Sequence, residues 1–153
     1  MEFVYLADRP DAIPTLANWY FNQWGYLNDV SSVDKTVGIL QQYLNRDKLP
    51  LIILAIENEE VIGAVQLKFY EMDIYPEKEH WLGGVYVSAN HRKRNIAGRL
   101  VRKALEIAKS HNIETLYLQT EKLDGGLYKP LGWKAIETLE YRGKKVLVMK
   151  IQL

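Results

Sequence analysis

Hydrophobic positions at helical spacing predict two helices in the first third of the chain, after a short strand at residues 2–6. In the first helix the apolar residues recur three or four positions apart, and Gly25 follows them, which is typical of a helix end. The capping-type sequence Ser31-Ser32-Val33-Asp34 predicts the start of the second helix. The two apolar stripes consist of Ile13, Leu16, Ala17, Tyr20 and Trp24, and of Val33, Val37, Leu40 and Leu44.

The central part of the chain predicts strands followed by a long helix. Residues 51–56 form a continuous apolar run, which indicates a strand buried on both faces. A polar turn at 57–60 leads into residues 61–69, which alternate, so the two segments predict a hairpin. Another strand is predicted at 81–87, and an amphipathic helix begins near Asn95.

The last third predicts a strand at 115–119, a brief helical turn, and a hairpin of residues 133–141 and 144–151. The predicted order is therefore β-α-α-β-β-β-α-β-α-β-β. Hairpins combined with one strand–helix–strand crossover indicate an α/β fold with a mixed sheet covered by helices. Because no repeat, linker or low-complexity segment interrupts the pattern, we expect a single domain over residues 1–153.

Composition narrows the class of protein. Hydrophobic residues make up 48% and charged residues 25%, as in globular proteins, and no apolar run approaches the roughly 20 residues of a membrane span. The first residues lack a secretory pattern, so we expect a cytoplasmic protein without membrane partners. The absence of cysteine and three widely spaced histidines argue against a metal site. A net charge of +1 argues against nucleic-acid binding.

A basic turn between a strand and a helix carries the first candidate chemistry. The strand ending at Val87 leads through His91-Arg92-Lys93-Arg94 into the helix that starts near Asn95. The first turn of a helix has unpaired N–H groups and the positive end of the helix dipole, which basic side chains oppose unless an anion is present. The segment therefore predicts a phosphate site, best suited to a diphosphate, and a solvated basic patch is the alternative.

This segment resembles the acetyl-CoA signature of the GNAT superfamily of N-acetyltransferases, which reads Arg or Gln, two residues, Gly, one residue, then Gly or Ala. Here it is Arg92-Lys93-Arg94-Asn95-Ile96-Ala97, with Asn95 in place of the central Gly. Asn is the side chain that best tolerates a left-handed backbone. Residues 81–87 are similar to the family's fourth strand, and residues 127–133 resemble its later tyrosine motif. The resemblance implies a sheet of six to seven mostly antiparallel strands, splayed between strands 4 and 5.

The resemblance also implies acetyl-CoA as co-substrate and no metal. The basic turn would hold the pyrophosphate, and the fourth strand would pair with the pantetheine arm. A backbone N–H near Val87 would donate to the thioester oxygen. The expected cofactor-binding residues are Val85, Tyr86, Val87, Arg92, Lys93, Arg94, Asn95, Ile96, Ala97, Gly98 and Arg99.

Tyr128 is the expected general acid, because its place in the tyrosine motif suits a phenol that delivers a proton to a departing thiolate. The alternative is an aromatic residue that packs against Trp133. The general base is less defined, since the strand position that often carries a glutamate in this family is Trp81. Glu79 and His80 are candidates, and Glu71, Asp73 or a water are alternatives.

The acceptor pocket is expected, from the resemblance, beside residues 19–32. Acidic residues at 71–79 would attract a cationic amine, or form a solvated acidic loop. We therefore predict an N-acetyltransferase that moves the acetyl group of acetyl-CoA to a primary amine in a ternary complex. The acceptor would be a basic small molecule or a peptide or protein amine, and the enzyme a monomer or homodimer. Alternatives are a non-catalytic acyl-CoA sensor and a nucleotide binder. The expected substrate-binding residues are Trp24, Tyr26, Glu71 and Asp73.

Overall fold

A computed structural model describes residues 1–25 and 32–153, and within them the elements follow the predicted order. The predicted site residue Tyr26 and the first residue of the predicted cap, Ser31, lie outside the described residues. A 3₁₀ segment, Gly126–Leu131, forms the predicted helical turn. The helices are α1 (Ile13–Trp24), α2 (Val33–Leu40) and α3 (Ile96–Ser110). The strands are β1 (Glu2–Tyr5), β2 (Leu51–Glu57), β3 (Glu60–Phe69), β4 (His80–Val87), β5 (Thr115–Thr120), β6 (Lys134–Tyr141) and β7 (Lys144–Gln152).

Helix α2 begins as the sequence predicts but ends early. The Ser32 side chain accepts a hydrogen bond from the backbone N–H of Lys35 at 3.2 Å, which caps the first turn. After Leu40 the chain tightens into a 3₁₀ turn at Gln41–Tyr43. The prediction that Leu44 continues the buried stripe is therefore wrong, because this tightening rotates Leu44 out of the helical register and leaves it 36% exposed.

The strands form one mixed sheet in the order β1-β2-β3-β4-β5-β7-β6. Every neighbouring pair among the described strands is antiparallel except β4 and β5, which are parallel. These two strands pair at a single position, Trp81 with Tyr117, so beyond it the rest of β4 is not paired with β5. This separation confirms the predicted mixed sheet splayed between its fourth and fifth strands.

The helices cover both faces of the sheet. All six residues of the apolar run at 51–56 are buried, as expected of a strand with helices on either side. Helices α1 and α2 pack on one face around Leu16, Leu40 and Leu54. Helix α3 packs on the other face through Leu100 and Ala104, among others. No helix in the described part of the chain is both long and apolar enough to cross a bilayer.

A bulge bends β4 where it leaves β5. Two steps along β3, from Ala64 to Gln66, face three steps along β4, from Tyr86 to Gly83, so β4 contains one extra residue. Gly84 takes a φ of +56°, and a Cβ built there would lie 2.5 Å from Cδ of Gln66. The hydroxyl of Tyr20 donates to the Gly84 carbonyl at 2.8 Å. Helix α1 therefore holds the bulge in place from one face of the sheet.

Candidate active site

Two cavities open on either side of the gap between β4 and β5. The larger cavity has a volume of about 640 Å³ and the smaller about 470 Å³. Their walls share four residues, so the two spaces meet along one line at the bulged end of β4. The shared residues are Gln23, Trp24, Val85 and Tyr128.

The smaller cavity is formed by the end of β4 and the start of α3. Asn95 precedes the helix with a φ of +57°, a left-handed conformation, and no side chain caps the helix there. The first N–H groups of α3 consequently lack a side-chain acceptor, which leaves a partial positive charge at the cavity wall. Nine of the eleven expected cofactor-binding residues line this cavity: Val85, Tyr86, Val87, Arg92, Lys93, Asn95, Ile96, Ala97 and Gly98.

The other two expected cofactor-binding residues lie elsewhere. Both guanidinium N–H groups of Arg94 bind the Glu57 carboxylate, at 2.9 and 2.7 Å, across the turn between β2 and β3. The guanidinium of Arg99 lies over the ring of Phe3, on the first strand. Arg94 and Arg99 therefore face protein groups and do not line either cavity.

The remaining arginine of the turn, Arg92, fixes the strand end. Its Nε donates to the Val87 carbonyl at 3.0 Å, and its guanidinium lies over the Tyr86 ring. The next amide, that of Ser88, donates to Ile62 on β3 at 2.9 Å. Because successive peptide groups of a strand point in opposite directions, the Val87 N–H faces away from β3 towards the gap.

Tyr128 lies where the two cavities meet. The 3₁₀ segment that carries it ends at Gly132, and its ring packs edge-on against Trp133 at 6.1 Å between centroids. Burial, and to a smaller extent the negative charge of Glu71, raises the pKa of the Tyr128 phenol to about 12. The phenol thus both packs against Trp133 and lines the cavities, and it keeps its proton at neutral pH.

A partly buried ion pair lies in the wall of the larger cavity. Nζ of Lys68 is 3.0 Å from the Glu71 carboxylate, and each side chain is less than 20% exposed. Burial lowers the pKa of Lys68, but the attraction and hydrogen bond of Glu71 outweigh it, and the net pKa is raised. The Glu71 carboxylate also lies against Gly83 of β4, where a Cβ would be 2.5 Å from Oε2. Nζ of Lys68 would lie 3.1 Å from the same Cβ, so both charged groups of the ion pair reach β4.

The expected base candidates Glu79, His80 and Asp73 do not line either cavity, and each contacts a residue in the wall of the larger one. Glu79 contacts His80 at 2.9 Å and Tyr70 at 3.2 Å, and the His80 ring packs against Phe69. Asp73 accepts from the Tyr141 hydroxyl at 2.9 Å. Glu79, His80 and Asp73 are therefore not brought together with Tyr128. Trp81, at the position where the resemblance leads one to expect a glutamate, is fully buried and donates to the Lys78 carbonyl.

His91, the first residue of the basic turn, lines the smaller cavity, and its Nδ1 lies 2.6 Å from the Ser88 hydroxyl. Several residues of the larger cavity were not singled out from the sequence. They are basic residues from the segment after β5 and from the β6–β7 turn: Lys122, Arg142 and Lys144. Such residues are far apart in the sequence and carry no motif. Their adjacency follows from the sheet order, in which β5 and β7 are neighbours.

A profile of the Acetyltransferase (GNAT) family matches residues 13–133, which is most of the chain. The chain belongs to the GNAT acetyltransferase family. The resemblance drawn from residues 92–97 and 127–133 is thereby confirmed, and the protein is an acyltransferase enzyme.

The fold of this acetyltransferase is similar to that of solved GNAT structures. An aminoglycoside 6'-N-acetyltransferase complexed with coenzyme A aligns with 17% identity and a TM-score of 0.76, covering 99% of this chain and 97% of that chain. The aminoglycoside 6'-N-acetyltransferase from Enterococcus faecium aligns with 17% identity and a TM-score of 0.74, covering 99% of this chain and 97% of that chain. The ribosomal-protein-alanine N-acetyltransferase from Brucella melitensis aligns with 19% identity and a TM-score of 0.75, covering 100% of both chains. No curated protein matches the sequence. At these identities the likeness concerns the fold.

Proposed function

We propose that this acetyltransferase moves the acetyl group of acetyl-CoA to a primary amine while both substrates are bound. The observation that carries this proposal is the meeting of two cavities at Tyr128, beside an unpaired strand edge. One cavity offers groups suited to phosphates, and the other offers a carboxylate suited to an amine. Direct transfer requires this arrangement, because the nucleophile and the acyl group must come within bonding distance.

The smaller cavity fits the phosphate-bearing end of acetyl-CoA. The uncapped N-terminus of α3 and the side chains of Lys93 and His91 would face the pyrophosphate. Gly98 has no side chain that would project from this wall into the cavity. The unpaired edge of β4, residues 82–87, would pair with the pantetheine arm as an added strand does. When bound, acetyl-CoA supplies an activated acetyl thioester.

The chain's own groups would stabilise the charges that develop during transfer. The Val87 N–H faces the gap and would donate to the carbonyl oxygen as this oxygen gains negative charge. The phenol of Tyr128, protonated at neutral pH, would donate to the departing sulphur. The new C–N bond forms as the C–S bond breaks, and the amine loses one proton.

Glu71 is the proposed receiver of the amine proton, directly or through a water. It is the expected acidic residue that lines the larger cavity, and its carboxylate lies against β4. Glu79 and His80, expected from the sequence, contact Tyr70 and Phe69 instead. The acceptor is a small molecule or a peptide with a basic amine. This amine would approach Glu71 from the part of the larger cavity that Trp24 lines.

The test is release of free CoA from acetyl-CoA over a panel of amines that includes amino acids, polyamines, aminoglycosides and a peptide. The variant Tyr128→Phe, which keeps the contact with Trp133, should lower kcat by about 100-fold with little change in the Kd of CoA. Glu71→Gln should also lower turnover. Tyr5→Phe, on β1 outside both cavities, is the matched control and should leave kcat unchanged.

Unchanged turnover in Tyr128→Phe would remove the proposed acid. Tight binding of acetyl-CoA without transfer to any amine of the panel would instead favour a non-catalytic acyl-CoA sensor.

A further inference from the structure

The larger cavity offers few carboxylates to a cationic acceptor. Among the described residues, its lining contains two acidic side chains, Glu71 and Glu121. Oε1 of Glu71 already lies 3.0 Å from Nζ of Lys68, whereas Oε2 lies beside Gly83 of β4. A polyamine or an aminoglycoside would need a carboxylate for each of several amines, because a charge that leaves water without a partner is costly. The described lining therefore suits an acceptor with a single amine better than a polycation.

Large apolar side chains are exposed at the same cavity. Ile39 of α2 and Phe69 at the end of β3 are each 43% exposed, and the following Tyr70 is 50% exposed. All three line the larger cavity, and we call them the apolar rim. The rings of Phe69 and Tyr70 lie 6.4 Å apart between centroids, so they form a continuous surface. Single exposed apolar residues are ordinary, but adjoining ones beside a cavity indicate a surface that a ligand covers.

The apolar rim is connected to the ion pair deeper in the cavity. Tyr70 directly precedes Glu71 in the sequence. Tyr43, which follows α2, also lines the cavity. Burial raises the pKa of the Tyr43 phenol, and the charges of Lys68 and Glu71 act on it in opposite directions, so Tyr43 lies close to that pair. An acceptor whose amine faces Glu71 would therefore place the rest of its structure against these aromatic and apolar side chains.

We propose that the acceptor is a monoamine with an apolar alkyl or aromatic group, and that this group packs against Ile39, Phe69 and Tyr70 while the amine faces Glu71. Such a group stabilises the complex by removing exposed apolar surface from water. The neighbouring aromatic rings would also attract the ammonium form of the amine as it enters. The inference rests on the proposed function and specifies its substrate class as lipophilic monoamines.

The experiment compares three amines by CoA release, which gives kcat/KM for each. Hexylamine and 2-(2-aminoethoxy)ethanol have the same length and charge, but the second contains oxygen in place of two carbon atoms. We expect hexylamine to exceed this ether amine by about tenfold or more, because each methylene that leaves water strengthens binding by about fourfold. The ether amine is the weaker base and has the larger neutral fraction, which works against the expected preference. The third amine, 1,6-diaminohexane, should fall below hexylamine because its second ammonium would meet the apolar rim.

Variants of the apolar rim test the assignment to residues. In Ile39→Gln/Phe69→Thr the ratio of hexylamine to the ether amine should fall close to one, and Ile39→Glu should raise the diamine relative to hexylamine. These ratios do not depend on the fraction of enzyme that is folded, so a loss of stability cannot imitate the effect. Ile136→Gln is the matched control and should keep the ratios of the wild type. Ile136 of β6 is 37% exposed and does not line either cavity.

Two failures would be distinguishable. Transfer to amines without a preference for hexylamine over the ether amine would overturn the lipophilic acceptor and leave the proposed acetyl transfer intact. The same holds if the variants of the apolar rim keep the wild-type ratios, or if transfer is confined to polyamines, aminoglycosides or peptides. Absence of transfer to every amine would overturn the proposed function, and this inference with it.

Discussion

At the residue scale, Tyr128 combines two properties that a proton donor at the sulphur needs. It lies at the junction of the cavities, and its pKa of about 12 keeps it protonated over the whole physiological range. A phenol with this pKa remains a hydrogen-bond donor beside a thiolate whose reference pKa is about 8.5. The alkaline limb of a pH–rate profile below pH 10 should therefore not arise from Tyr128.

The raised pKa of Tyr128 also predicts how stability depends on pH. The unfolded chain holds this proton with a pKa near 10 and the folded chain with a pKa of about 12. Below pH 10 both states keep the proton, so the stabilisation is complete, and it is lost as pH rises from 10 through 12. At pH 11, relative to pH 8, the wild type should lose about 1.4 kcal/mol more free energy of unfolding than Tyr128→Phe. Denaturant titrations at both pH values measure this, and equal losses would contradict it.

Sequence reasoning singled out Tyr128, Asn95 and the basic turn because local motifs carry them. It could not predict that Glu71 lines the larger cavity and Glu79 does not, since both are acidic residues of the segment between β3 and β4, and the tertiary fold of this segment decides which of them reaches the cavity. The sequence could also not predict the ion pair between Arg94 and Glu57, because this contact joins residues 37 positions apart.

At the element scale, the bulge of β4 depends on one backbone conformation. Gly84→Ala would place a Cβ 2.5 Å from Gln66 and force a side chain into a φ of +56°. We expect a loss of about 2–4 kcal/mol in the free energy of unfolding, with a drop in turnover as the edge at 85–87 shifts. Unfolding in guanidinium measures the free energy of unfolding, and CoA release measures the turnover.

Gly38→Ala provides the control for that substitution. Among the described residues, apart from its chain neighbours and the backbone of its own helix, no atom lies within 4 Å of a Cβ at Gly38, which is inside α2. Alanine there should increase stability by about 0.5–1 kcal/mol through helix propensity. Equal effects of the two substitutions would mean that the bulge does not require glycine.

At the start of α3, substitutions of Asn95 and Gly98 should have coupled effects on the Kd of CoA. A Cβ at position 98 would lie 2.4 Å from Oδ1 of Asn95, so Gly98→Ala should displace the Asn95 side chain towards the smaller cavity. We expect the Kd of CoA to rise about tenfold, although alanine favours helix. Asn95→Gly removes the conflicting side chain, so Asn95→Gly/Gly98→Ala should bind like Asn95→Gly alone. Calorimetry on the four proteins measures the coupling, and additive effects would contradict it.

The elements themselves were largely predictable, because periodicity and capping are local. Every α-helix and strand of the described chain was expected, and the main error was Leu44 after α2, where an unpredicted 3₁₀ turn follows the helix. The separation of β4 and β5 was expected from the family resemblance and not from the pattern, since pairing of distant strands leaves no local trace.

At the scale of the whole molecule, the proposed acetyl transfer depends on a gap in an otherwise continuous sheet. Helices α1 and α3 cover opposite faces, and each contributes to a cavity wall beside β4. The charges of the larger cavity come from β3, β5 and the β6–β7 turn, so composition and net charge could not predict their sum. A site assembled in this way should be stabilised by any ligand that bridges its walls.

Acetyl-CoA should therefore raise the melting temperature. A ligand present at 100 times its Kd adds about 2.7 kcal/mol to the folded state, which corresponds to roughly 5–11 °C for a domain of this size. Pantetheine, which lacks the phosphates, should give a much smaller shift at equal concentration. Lys93→Gln should weaken the response to CoA, whereas Arg94→Gln should lower the melting temperature without ligand and keep the response, because Arg94 contacts Glu57 outside the cavity. Equal shifts with CoA and pantetheine would mean that the start of α3 does not bind the diphosphate.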